Sequence, residues 1–68
     1  MATGTVASFD DPRGIGTVTD ESDGQEYFFH CTAVADGTRT IDVGAAVEFE
    51  VVPGRRGQWE AAGLRPRG

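Results

Sequence analysis

Phe28 and His30 lie two residues apart in the run Glu26-Tyr27-Phe28-Phe29-His30-Cys31, where five of six residues are aromatic, histidine or cysteine. The chemistry this offers is stacking of flat rings on flat ligands. Read as an extended strand, the run sends Tyr27 and Phe29 to one face and Phe28 and His30 to the other. One aromatic face is enough for a core. The second is the first place to look for a binding surface.

Other chemistries fit these residues poorly. His30-Cys31 supplies half of the four ligands that zinc wants, so no metal is expected. Asp20, Glu21 and Asp23 lack the spacing and the bidentate glutamate of a calcium loop and read as a solvated loop. No Ser/His/Asp or Cys/His pairing has a credible pocket context, so the expectation is a binding protein without a cofactor, not an enzyme. Arg13, beside Gly14, can hold a phosphate or pair with Asp10 or Asp11 across the turn. Arg55 and Arg56, between Gly54 and Gly57, read either as a cationic lip or as a solvated turn. Phe9 either faces out at a strand end or caps the core, and Trp59 reads as a packing residue.

The elements that must position these groups are short. Ten glycines and three prolines in 68 residues favour turns and strands, and the 38% apolar content disfavours a long helical bundle. Punctuation by Gly, Asp and Pro leaves five strand signals: Thr3–Phe9, Ile15–Thr19, Glu26–His30, Ala45–Pro53 and Gln58–Leu64. Cys31–Val34 reads as one helical turn. The expected inward residues are Val6, Val18, Tyr27, Phe29, Val47, Phe49 and Val51. On the last strand Trp59, Ala61 and Gly63 oppose Gln58, Glu60, Ala62 and Leu64. Five strands without a long helix predict an all-β, closed or partly closed barrel in a single domain over residues 1–68, with core 3–64 and tail 65–68.

Charge and cysteine usage narrow the setting. The net charge of −5 argues against a strong nonspecific polyanion binder. The balance is uneven: residues 1–50 hold ten acids against Arg13 and Arg39, whereas residues 51–68 hold four arginines against Glu60. The single cysteine excludes an internal disulfide framework and fits a reducing compartment. Residues 1–8 lack the charged and apolar regions of a signal peptide, and no stretch approaches the ~18 apolar residues of a membrane span. A cytoplasmic location without membrane association is expected.

Taken in order, the motifs resemble those of bacterial cold-shock proteins, nearly colinearly from Thr3 to Leu64. The family's opening Gly-x-Val-Lys-Trp-Phe is similar to Gly4-Thr5-Val6-Ala7-Ser8-Phe9 here. Its Lys-Gly-Phe-Gly-Phe-Ile is similar to Arg13-Gly14-Ile15-Gly16-Thr17-Val18. Its Val-Phe-Val-His-Phe resembles Tyr27-Phe28-Phe29-His30-Cys31, with Thr32-Ala33-Val34 in place of Ser-Ala-Ile. Gly44-Ala45-Ala46-Val47-Glu48-Phe49 matches the later Gly-x-x-Val-x-Phe. The resemblance implies an antiparallel OB-fold-type barrel, the cold-shock domain, that binds single-stranded RNA or DNA in the manner of an RNA chaperone or regulator of expression.

The departures bear on strength. The family's base-stacking platform has Ser8 at its Trp position, Ile15 and Thr17 at two Phe positions, Cys31 at another, and Ala7 at a Lys position. A base stack is worth about 1–3 kcal/mol. Losing two would cost about 2–6 kcal/mol, a drop in affinity of roughly 30- to 20,000-fold. The expected interface is Phe9, Phe28 and His30 for stacking, Ile15 and Thr17 for apolar contact, and Arg13, Arg55 and Arg56 for phosphates. Binding is expected to be weaker than in typical relatives, with low sequence preference and strong salt dependence. The competing expectation is a barrel whose face has turned to a basic protein partner.

Overall fold

The computed structural model describes residues 1–35, 41–54 and 57–67. The chain forms β1 (Ala2–Asp10), β2 (Ile15–Asp20), β3 (Glu26–His30), a 3₁₀ turn (Cys31–Ala33), β4 (Ala46–Pro53) and β5 (Trp59–Pro66). The strands close into a barrel in the order β1-β2-β3-β5-β4. This is the all-β, five-stranded barrel expected from the sequence. Its neighbours run antiparallel except at one seam, where β3 and β5 run parallel with Phe28 opposite Glu60. No helix among the described residues is long and apolar enough to cross a membrane.

Alternation of side chains builds the core. Val6, Val18, Phe29, Val34, Val47, Phe49, Ala61 and Leu64 are buried together. Each strand contributes at least one, so the core is a single plug inside the barrel. Tyr27 is only half-buried at the core's margin, tilted against Phe49 with ring centroids 6.1 Å apart. Gly16 is buried where an added Cβ would lie 2.8 Å from Cζ of Phe29 and 2.5 Å from the Ser8 carbonyl oxygen. Only a bare Cα lets β1, β2 and the Phe29 ring approach this closely.

Two expectations about strand faces are corrected, one by a β-bulge, which inserts a residue and reverses the parity beyond it, and one by the extent of strand pairing. On β5, Arg65 pairs with Glu48 and Ala62 with Glu50, leaving two β5 residues opposite Phe49 alone. Gly63, one of the two, adopts φ +63°, a left-handed conformation costly for residues with a Cβ. Ala61 and Leu64 are therefore both buried, three residues apart, although simple alternation separates them. Val51, expected inside, is 36% exposed. β1 pairs with β4 only from Ala46 to Phe49, so Val51 lies past that wall on an extension where β4 pairs with β5 alone. Trp59, at the end of the same extension, is 57% exposed and is not a packing residue.

The acidic hairpin loop also differs from its expected solvated form. Asp20 is 6% exposed, and its Oδ1 accepts from the Ser22 hydroxyl at 2.6 Å and the Ser22 amide at 2.8 Å. These hydrogen bonds hold its carboxyl below the ordinary 3.8. Glu21 accepts from the Thr3 hydroxyl and pairs with Arg67 at 3.0 Å, and its carboxyl is likewise held below its ordinary 4.5, chiefly by Thr3. The loop is thereby tied to the start of β1 and the end of the chain.

Candidate nucleic-acid interface

The ladder registers generate an ordered outer surface. Ser8 pairs with Thr17, Thr17 with Phe28, Phe28 with Glu60 and Glu60 with Val52, one row crossing all five strands. A second row joins Asp10, Ile15 and His30. Directly paired residues share a face, so these two rows form a grid of outward side chains. A bulge between Val6 and Ser8 sets the phase on β1, leaving Ala7 and Ser8 both exposed.

Two clefts open on this grid and share Ile15 and Phe28. The first, about 220 Å³, is lined by Ser8, Phe9, Asp10, Ile15, Gly16, Thr17 and Phe28. The second, about 550 Å³ and more enclosed, is lined by Ile15, Phe28, His30, Thr32 and Glu60. Phe28 is 41% exposed at their common edge, an unusual exposure for a ring of its size. Phe9 has a double role. Its ring stacks on buried Phe29 with centroids 6.0 Å apart and planes 5° from parallel, and it also lines the first cleft. Both positions anticipated for Phe9 are thus combined: it belongs to the core's margin and to the cleft.

Hydrogen bonds fix the polar groups. Ser8 Oγ and Thr17 Oγ1 lie 2.8 Å apart in the place of two rings of the resembled platform. His30 caps the 3₁₀ turn: its Nδ1 accepts from the Thr32 amide at 3.3 Å and lies 3.0 Å from Thr32 Oγ1. In the neutral imidazole an accepting Nδ1 leaves the proton on Nε2. Cys31 is a free, half-buried thiol, 3.8 Å from that ring nitrogen.

The expected cations are less concentrated on the face. Arg13 is exposed and pairs with Asp10 at 3.6 Å, the across-turn pairing weighed from the sequence, and it lines neither cleft. Arg55 and Arg56 lie outside the described residues. Phe9, Ile15, Thr17 and Phe28 meet in the first cleft, and His30 joins Phe28 and Ile15 in the second. Sequence reasoning missed Thr32 and Glu60. Thr32 had a local signal, two residues beyond His30 at the start of a helical turn. Glu60 had none, because only the parallel seam puts it opposite Phe28.

Residues 2–66 match the protein family described as the 'Cold-shock' DNA-binding domain. Among curated proteins, the chain is 47% identical over 58 residues to "Cold shock-like protein CspA" of Stigmatella aurantiaca, covering 84% of this chain and 85% of that one. It is 43% identical over 58 residues to "Cold shock-like protein CspLB" of Listeria monocytogenes, covering 84% and 86%. "Cold shock-like protein CspD" of Escherichia coli is 36% identical over 58 residues, covering 84% and 78%.

Proposed function

The chain belongs to the 'Cold-shock' DNA-binding domain family, and on that premise we propose that it binds single-stranded nucleic acid across the outer face of β1, β2 and β3. The observation that carries this reading is the exposed Phe28 ring between two adjoining clefts. An unpaired base presents a free π-face to such a ring, whereas bases within a duplex are stacked on one another. Binding therefore favours open strands, the physical basis of chaperone-like or regulatory action on RNA.

Phe28 and His30 stack on successive bases, with Phe9, Ile15 and Thr17 supplying apolar walls. Arg13, Arg55 and Arg56 engage phosphates. The hydroxyl pair Ser8–Thr17 gives no ring to stack on, and Asp10 and Glu60 bring negative charge to the cleft walls. Both features weaken binding relative to a fully aromatic platform.

The test is a titration with a short pyrimidine-rich single strand at low and physiological salt, followed by calorimetry or Trp59 fluorescence. The expected result is a saturable isotherm that weakens about 5- to 150-fold in Phe28→Ala, the equivalent of one stack. No binding at low salt and millimolar strand overturns the proposal, as does an isotherm indifferent to Phe28→Ala.

A further inference from the structure

Stacking alone gives little sequence preference, because every base has a π-face. The second cleft contains more than a stacking surface. Glu60 occupies the position next to Phe28 in the same row, across a strand spacing of about 4.8 Å. A base lying on the exposed Phe28 ring overhangs that neighbouring strand, and its edge meets the groups that line the cleft there. Those groups are an acidic side chain, an imidazole and a hydroxyl: Glu60, His30 and Thr32.

The Glu60 side chain lies over the bare backbone of Gly54. Its Cγ, Cδ and Oε2 lie so close to Gly54 that a Cβ at position 54 would overlap them. Gly54 is itself fixed to the base of the hairpin by a 2.6 Å bond from its amide to the Gln58 carbonyl. A side chain at position 54 would displace the carboxylate from this place. Glu60 has a partner within the protein. The two oxygens of a carboxylate offer about four acceptor positions, so an internal partner and a base edge are accommodated together.

We infer that Glu60 reads the Watson–Crick edge of the base stacked on Phe28 and makes this subsite selective for guanine. This rests on the proposed docking of single strands on this face. Guanine alone presents two adjacent donors, N1–H and N2–H₂, which match the two oxygens of one carboxylate. Its neighbouring O6 accepts a hydrogen bond, and His30 Nε2–H is the donor, since the Thr32 hydroxyl is turned to His30 Nδ1. Cytosine and adenine each present an amino group beside a ring acceptor, so only one carboxylate oxygen is satisfied. Thymine and uracil present a single N3–H flanked by two carbonyl oxygens that repel the carboxylate. The acidic residue that weakens phosphate binding thus acts as the source of base selection.

The experiment compares a heptathymidylate with strands in which single positions carry guanine or inosine, titrated against the protein and against Glu60→Gln. A good bidentate contact discriminates by about 1–3 kcal/mol, so guanine at the preferred position is expected to tighten binding about 5- to 150-fold over thymine. Inosine, which lacks the 2-amino group, should lose most of that gain without any change to the protein. Glu60→Gln presents one acceptor and one donor, and its donor opposes N1–H. The guanine-to-thymine ratio should then fall towards one, while heptathymidylate binding holds or strengthens as a negative charge is removed. Equal binding of guanine and thymine strands overturns the inference and leaves the docking face standing. So does a guanine preference that persists in Glu60→Gln. Failure of every strand to bind overturns the docking face as well.

Discussion

Thr17→Phe restores a ring at the centre of the outer grid, and its consequences can be worked from the register. Thr17 is half-buried and stands directly opposite Phe28 on one side and Ser8 on the other. Paired side chains on neighbouring strands have Cβ atoms about 4.5–5.5 Å apart, so the new ring lies alongside Phe28 and contributes about 0.2–1 kcal/mol to stability. The substitution removes the Ser8–Thr17 hydrogen bond, worth about 0.5–1.5 kcal/mol. Ser8 is exposed, so its hydroxyl turns to water and no buried polar group is left unpaired. The two effects nearly cancel, and the melting temperature should stay within about 8 °C of the parent. Affinity behaves differently, because one added stack contributes about 1–3 kcal/mol. Heptathymidylate should bind about 5- to 150-fold more tightly, measured by calorimetric titration at fixed salt, with a thermal melt of the same sample as control. Unchanged or weaker binding by a protein that melts normally would show that strands do not cross the outer face of β2. The proposed interface would then be wrong at its centre.

Two other predictions test the fold beneath that face. Phe28 and Phe29 are adjacent yet differ from exposed to fully buried. Phe29→Ala should cost about 3–5 kcal/mol, a large share of a small domain's stability, and lower or abolish the thermal transition, whereas Phe28→Ala should shift it by only a few degrees. Equal destabilisation by the two would contradict the assigned faces. In acid, Asp20 and Glu21 have folded pKa values below their ordinary 3.8 and 4.5. The unfolded chain therefore takes up protons first, and the stability these groups contribute is complete above the ordinary values and is lost as pH falls through the folded ones. Thermal melts from pH 7 to 2 should be level to about pH 5 and then decline. Ser22→Ala should lower the transition at neutral pH and make the acid decline shallower. A parallel displacement at all pH values would mean that the Ser22 hydroxyl does not act through Asp20.

What was legible in the sequence was local. Glu26–His30 announced its own strand, its two faces and its outward Phe28, because a period of two in large side chains admits one arrangement on a barrel wall. Val6, Val18, Val47 and Phe49 were read correctly for the same reason. The failures come from features that the pattern does not mark, a change of phase on β5 and the limits of strand pairing. Leu64 moved to the core because the bulge containing Gly63 adds a residue to β5, and Val51 moved out of it because β4 continues past its pairing with β1. A glycine within a strand hints at such a bulge but does not say which partner residue faces the pair. Glu60 was missed for a topological reason. β3 and β5 are far apart in sequence and meet only when the barrel closes, so nothing near residue 60 indicated an aromatic neighbour.

The position of charge, more than its sum, explains how an acidic chain can serve a polyanion. Asp20, Glu21 and Asp23 account for much of the excess, and they lie at the β2–β3 loop, whereas Ile15 and His30 mark the other end of those strands. Five residue steps along β2 separate Ile15 from Asp20, about 17 Å along an extended chain. That is about twice the screening length at physiological ionic strength. The two nearest acids of that loop are also engaged locally, Asp20 with Ser22 and Glu21 with Thr3 and Arg67. A strand on the outer grid therefore feels mainly Asp10 and Glu60. Asp10 is paired with Arg13, so the two form a near-neutral couple at the rim of the first cleft. Glu60, which lines the second cleft and has its own partner within the protein, is the acid nearest Phe28 in the outer row. A carboxylate beside a stacked nucleotide repels the phosphates unless the base edge donates to it, and only then does its position opposite Phe28 favour binding.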